Sequence, residues 1–267
     1  MNIDETYLDV DFPKDPNYVQ GYLGKQPELK RMLASYGDVA HVYNEQTLIE
    51  TAKRIEADGG GTERLVTRIY NQKQEGSCVG NGSCQAFEIV QATQFGREKV
   101  VPISAMSLYK RIGRSAQSGA VVSDALEAMQ DKGVLPLDTD ENKQKFKHTH
   151  PATGFSKPLP SGWEETAEQF KVLEATVCDS EAEVLSALAD GFPVVVGRQG
   201  HCICYVSFFL KDGKLFVLYA NSWGDWGQAA GHMPSGFGVD TPSQIRQASD
   251  WAFAIRSITT PSFQVQS

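Results

Sequence analysis

The sequence predicts an α+β fold of two lobes, helical first and sheet-bearing second. Three observations carry this reading: apolar stripes at helical spacing in the first half of the chain, short β-rich runs divided by turn signals in the second, and a polar Pro/Gly-bearing connection between them. An arm with small helices precedes both lobes and ends at Gly59-Gly60-Gly61. The expected organisation is an appendage over residues 1–61 and a main domain over residues 62–267, with a cleft between the lobes as the default binding site.

Taken in order, residues 1 to about 26 show no sustained period and read as an extended arm that needs another surface to order it. Pro27 to Leu33 reads as a short helix, and Asn44 is placed to cap Glu45 to Ala57, where Leu48, Ile49, Ala52 and Ile55 form one stripe. Leu65 to Tyr70 reads as a strand. Cys78 to Phe95 reads as a mostly buried helix whose Gly80 and Gly82 let its first turns lie close to another backbone. Two further helices are expected over Ser104 to Arg114 and Ser123 to Lys132, the second capped by Ser123 and closed by Gly133. Asp138 to Gly162 reads as a long connection. Strands follow at Lys171 to Val177, Phe192 to Val196, Cys202 to Phe208, Lys214 to Leu218 and Ala252 to Ile255, with a helix over Ser180 to Ala189 and a hairpin turn at Lys211-Asp212-Gly213.

Composition narrows the function classes. The 267 residues are 41% apolar and 22% charged, values of an ordinary globular chain and not of a disordered or fibrous one. Net charge is −8, from 25 Lys+Arg against 33 Asp+Glu, with no basic run able to track a phosphate backbone, so nucleic acid is not an expected partner. No apolar window is long enough for a membrane helix, and the acidic start lacks a secretory signature, so the expectation is a cytoplasmic protein when synthesised. Five cysteines, Cys78, Cys84, Cys178, Cys202 and Cys204, are too few and too oddly numbered for a disulfide scaffold.

The chemistry gathers around one of them. Cys78, in Gly76-Ser77-Cys78, opens a predicted helix, where free N–H groups and the helix dipole stabilise a thiolate. His201 opens a strand in the other lobe, and Asn221 stands 20 residues later in Asn221-Ser222-Trp223-Gly224. An asparagine amide can orient the ring of a histidine that pairs with a thiolate. Gln72 precedes Cys78 by six residues. In this order the four elements resemble the papain-like cysteine peptidases, and most of all their short bacterial and bacteriophage forms. The resemblance spans about Leu65 to Ile258 and leaves out the first 61 residues.

It implies a papain-like fold, a central nucleophile-bearing helix against an antiparallel β lobe, and peptide-bond hydrolysis through a Cys78 acyl-enzyme without a cofactor. Cys78 would be the nucleophile, His201 the general base and then acid, Asn221 the group that fixes the imidazole tautomer, and Gln72 the side-chain oxyanion donor. Trp223 would shield the pairing of Asn221 with His201. With Gly119 and Ala120, which match the family's backbone-binding glycine pair, Trp223 completes the substrate-binding set. The partner is then a protein or peptide substrate. Two departures stand out: the short link Gly197-Arg198-Gln199-Gly200 before His201, and Gln228 to Gly238, which lacks the family's usual Gly-Tyr strand.

Other readings stay open at this level. Residues 1–61 are either a segment lying through the cleft as a propeptide or an arm that docks on assembly partners, for example in a bacteriophage particle. The second belongs to a catalytically silent structural protein that keeps the fold. Transfer of the acyl group to an amine uses the same residues. Cys202 and Cys204 alternate with His201 and are expected to face away from the cleft into sheet packing. Cys84 lies about 120° around the helix from Cys78, and Cys178 has no motif around it; both read as packing. A zinc site from Cys84, Cys202, Cys204 and a histidine lacks a C-x-x-C knuckle, so no metal is expected. His148 and His150 read as solvated surface.

Overall fold

The computed structural model describes residues 19, 21–24, 33–226, 235–248 and 252–261. Nine helices are present among them: α1 Tyr36–Val39, α2 Glu45–Ala57, α3 Cys78–Phe95, α4 Ala105–Ile112, α5 Val122–Asp131, α6 Asp140–Lys145, α7 Glu164–Ala167, α8 Glu181–Ala189 and α9 Pro242–Ala248. Six strands, β1 Val172–Val177, β2 Val194–Arg198, β3 His201–Lys211, β4 Lys214–Ala220, β5 Phe237–Asp240 and β6 Ala252–Ile258, form one sheet in the order β1-β6-β2-β3-β4-β5. Every pair is antiparallel. The α+β organisation expected from the sequence is what the chain adopts. No helix among the described residues is long and apolar enough to cross a membrane.

The sheet divides two cores, and the alternation of β3 shows how. Cys202, Cys204 and Val206 face α3 and join Val79, Phe87, Ile89, Met106 and Leu126 in the first core. Ile203 and Tyr205 face the other way and pack with Leu48, Ala52, Leu185 and Trp223. Residues before the Gly59–Gly61 boundary therefore share the second core: α2 lays Leu48 and Ala52 against β3 and α8 instead of hinging away. Asn44 caps α2 as expected, accepting from the Thr47 N–H at 2.9 Å. Both hairpins turn on adjacent positive-φ residues, Gln199-Gly200 and Asp212-Gly213.

Several local expectations are corrected. Leu65–Tyr70 is not a strand: a 3-10 turn covers Thr62–Leu65, and the extended residues after it pair through isolated bridges and side chains. Helix α5 starts at Val122, with no side-chain cap from Ser123, which lies inside the helix and is buried. The long connection holds α6, capped by Thr139 accepting from the Asn142 N–H. His150 is not solvated. It is 1% exposed, its backbone N–H donates to the Pro136 carbonyl, and its Nδ1 lies 3.4 Å from Ser104 Oγ. The short helix expected over Pro27–Leu33 lies, apart from Leu33, outside the described residues.

Candidate active site

Helix α3 begins at Cys78, so its first turn presents free backbone N–H groups at the thiol. Gly80 permits the close packing anticipated for that turn: a Cβ there would stand 2.8 Å from the Ala105 carbonyl oxygen. Further along α3, the buried Glu88 carboxylate ties the helix to the segment carrying Gln72. It accepts from Arg68 Nη2 at 2.7 Å, Tyr70 Oη at 2.7 Å and the Ile103 N–H at 2.8 Å. Two of these donors stand within four residues of Gln72, which fixes its approach to the head of the helix.

The Asn-Ser-Trp-Gly segment completes the frame. Gln72 N–H donates to the Ser222 carbonyl at 2.8 Å, Gly224 N–H to the Tyr70 carbonyl at 2.9 Å, and Asn71 bridges Trp223. The Ser222 hydroxyl donates to Gln72 Oε1 at 2.6 Å, so the amide nitrogen is the end left to face outward. The resemblance gave Ser222 no role; its place beside Gln72 arises from two segments 150 residues apart. Removing this bond through Ser222→Ala is expected to lower kcat about fivefold with little change in KM, since one neutral hydrogen bond is worth about 1 kcal/mol. Steady-state kinetics on Ser222→Ala beside the parent chain would check it.

His201 and Asn221 meet as the sequence suggests. His201 Nε2 donates to Asn221 Oδ1 at 2.8 Å, and that oxygen also accepts from the Ser222 N–H at 2.7 Å, which holds the amide in one orientation. Trp223 is 1% exposed and its ring lies 4.7 Å from the imidazole, tilted 30°, covering this bond from water. Nε2 thus carries the proton in the neutral ring, leaving Nδ1 to exchange one with a thiol.

Gly119 and Ala120 come to the same place, and here the chain meets itself. Ala120 N–H donates to the Gly21 carbonyl at 2.7 Å, Leu23 N–H to the Ala120 carbonyl at 3.0 Å, and Tyr22 N–H to the Gly200 carbonyl at 2.9 Å. Gln72 Nε2 donates to the Val19 carbonyl at 2.8 Å and to the Glu75 carbonyl at 2.8 Å. The Gly21 N–H is among the backbone groups near enough to the Cys78 sulfur to favour its charged form. The segment therefore spans both lobes across the nucleophile, and only glycine fits at its centre, because a Cβ on Gly21 would overlap the Gly76 carbonyl. Two residues that the sequence reading missed hold the walls. Tyr109 Oη accepts from the Gly119 N–H at 3.1 Å, and the Glu75 carboxylate accepts from the Phe155 N–H at 2.8 Å.

Burial reverses the electrostatics expected of a helix-terminal thiol. Burial pushes the Cys78 thiol up to about 11, although the backbone N–H groups of Cys202, Gly21, Val79 and Cys78 itself pull it down. Burial likewise pushes His201 down to about 4; the Asn221 bond opposes the shift and the Arg198 charge adds to it. Desolvation outweighs the dipole, and the covered site holds a neutral thiol and a neutral imidazole. Cys202 also departs from expectation. It is core, but it faces α3 beside Cys78 instead of away from it. Among the described residues no group of three or more His, Cys, Asp or Glu could hold a metal ion.

A helical lobe whose central helix begins at a cysteine, set against an antiparallel lobe that carries a paired histidine and asparagine, is the papain-like fold. The structure is similar to xylellain, a cysteine protease from Xylella fastidiosa, with a TM-score of 0.61 and 17% identity over 94% of this chain and 99% of that one. It is also similar to digestive procathepsin L 3 from Tenebrio molitor, with a TM-score of 0.55 and 16% identity over 73% of this chain and 67% of that one. Procathepsin B S9 from Trypanosoma congolense gives a TM-score of 0.56 and 11% identity over 91% and 87%. The sequence matches no protein-family model and no curated protein. At these identities the likeness establishes the fold.

Proposed function

We propose that the protein is a thiol-dependent peptidase whose site is held closed by its own residues 19 and 21–24. The observation that carries this reading is the convergence of four groups on one cleft: Cys78 at a helix N-terminus, His201 bonded to Asn221, Gln72 turned outward by Ser222, and the Ala120 backbone accepting and donating to an extended segment. In the open site the Cys78 thiolate attacks a peptide carbonyl carbon. The oxyanion is held by Gln72 Nε2 and the Cys78 N–H, a pair in which one donor is worth about 10²- to 10³-fold in rate. The His201 imidazolium then gives its proton to the leaving amine, and a water deprotonated by His201 attacks the thioester and releases the acid.

The resident segment reads as a plug and not as a substrate. Its Val19 carbonyl takes the Gln72 donor that would hold an oxyanion, and the Gly21 N–H is one of the backbone groups that favour the charged sulfur. The alternative of a silent assembly protein needs the N-terminal stretch free for other chains. The described part of that stretch instead bonds to this chain's own cleft and packs into its own second core. The test is hydrolysis of an unfolded protein substrate, followed by gel and mass spectrometry, with the chain unmasked at Gly21. Cleavage that disappears in Cys78→Ala, with the fold retained by circular dichroism, supports the reading; cleavage that survives in Cys78→Ala, or is absent from an unmasked chain whose Cys78 alkylates freely, removes it.

A further inference from the structure

We propose that Cys202 is the partner thiol of Cys78 in a reversible disulfide formed when peroxide oxidises the nucleophile. Cys78 and Gly82 are four residues apart and share one face of α3. The Cys202 sulfur lies on that face against Gly82, where a Cβ would come within 3.1 Å of it. The Cys202 backbone N–H is also near enough to the Cys78 sulfur to favour its charged form. A side chain at position 82 would displace the Cys202 thiol; glycine leaves it room one helical turn from the nucleophile. The remaining thiols are elsewhere. Cys84 sits beside Glu88 and Arg68, Cys204 donates its thiol to the Tyr205 carbonyl, and Cys178 belongs to the second core.

The chemistry closes with these two sulfurs and hydrogen peroxide. The Cys78 thiolate attacks one peroxide oxygen, the O–O bond breaks, hydroxide leaves, and Cys78 becomes a sulfenic acid. The Cys202 sulfur then attacks the Cys78 sulfur; the S–S bond forms, the S–O bond breaks, and the proton from Cys202 leaves with the hydroxide as water. Two thiols and one peroxide give one disulfide and two waters, the two electrons passing from sulfur to oxygen. A dithiol reverses the bond, which spares Cys78 the irreversible sulfinic and sulfonic acids. The proposal rests on the peptidase reading only in taking Cys78 as the thiol that ionises.

The test treats the full chain and its Gly21→Leu variant with hydrogen peroxide, maps joined peptides by mass spectrometry, and then measures how much Cys78 takes iodoacetamide after dithiothreitol. The expected result is a peptide pair joining Cys78 to Cys202 in at least one of the two proteins, with labelling restored by dithiothreitol. In Cys202→Ala, and in Cys202→Ser as a check on packing, restored labelling is expected to fall at least about tenfold as oxidation runs on. Absence of the joined pair from both proteins, joining of Cys78 to another cysteine, or equal restoration in both Cys202 variants overturns the proposal. A chain that forms the bond yet cleaves no peptide loses only the peptidase reading, and one that cleaves yet forms no bond loses only the disulfide.

Discussion

Replacing Gly21 by Leu is expected to raise the rate at which iodoacetamide alkylates Cys78 at pH 7 by at least about 100-fold. In the covered chain the thiol stands at about 11, so at pH 7 only about one molecule in 10⁴ carries the thiolate. An ordinary thiol near 8.5 carries roughly 300 times more, and a helix N-terminus lowers it further. Leucine has no room at position 21, because the first carbon of its side chain would already overlap the Gly76 carbonyl. The segment must leave, water reaches the sulfur, and the desolvation that dominates the shift is lost. Alkylation is mapped to Cys78 by mass spectrometry across pH 6 to 11. Its midpoint is expected to move from the alkaline end of that range to below about 8.5, since thiolate appears as pH rises through the pKa and a lower pKa brings it earlier. Leu23→Ser is the control: its side chain is 61% exposed, so this change leaves the cover in place. An unchanged pH profile in Gly21→Leu would show that residues 21–24 do not govern the nucleophile.

The difference between what sequence reading reached and what it missed lies in the range of the interactions involved. Helix Cys78–Phe95 was readable because its apolar residues set among small ones are local signals. The hairpin at Asp212-Gly213 was readable because its turn residues sit beside their strands, whereas residues 197–200 read only as a short link and turn out to close a second hairpin. Gln72, Cys78, His201 and Asn221 could be ordered along the chain, yet only folding shows that Ser222 turns the Gln72 amide outward and Glu88 anchors the segment leading to it. Segment 21–24 has no period because its hydrogen bonds run to Ala120 and Gly200, far along the chain. The thiol expectation failed for a related reason: the dipole of α3 is written in its own residues, whereas the burial that overrides it is set by the whole fold around Cys78. His150 was misread as surface because polarity of the surrounding sequence was taken for exposure, while its backbone pairs with Pro136 and its ring packs by Ser104.

Asp240→Ala is expected to cost about 3 to 5 kcal/mol of folding stability, the range for breaking a buried ion pair by removing one partner. Arg198 Nη2 donates to Asp240 Oδ1 at 2.8 Å with side-chain exposures of 2% and 0%, and Tyr205 Oη donates to Asp240 Oδ2 at 2.6 Å. Removing the carboxylate leaves a guanidinium inside the β lobe without its counter-charge, which costs far more than the pair contributes. The double variant Arg198→Met, Asp240→Leu is therefore expected to recover more than half of the loss, the remainder falling to the Tyr205 hydroxyl left without an acceptor. Urea unfolding followed by tryptophan fluorescence reads both values; a loss below about 1 kcal/mol in Asp240→Ala would show that the pair carries no buried charge. The same pair reaches the site. Arg198 stands opposite His201 across the β2–β3 hairpin, and its charge adds to the burial that disfavours the imidazolium. Taking that charge away raises the His201 pKa, so the double variant unmasked at Gly21 is expected to hold its imidazolium to higher pH. The acid that protonates the leaving amine would then persist further into the alkaline range, linking a buried ion pair that stabilises the sheet to the pH at which the cleft can turn over.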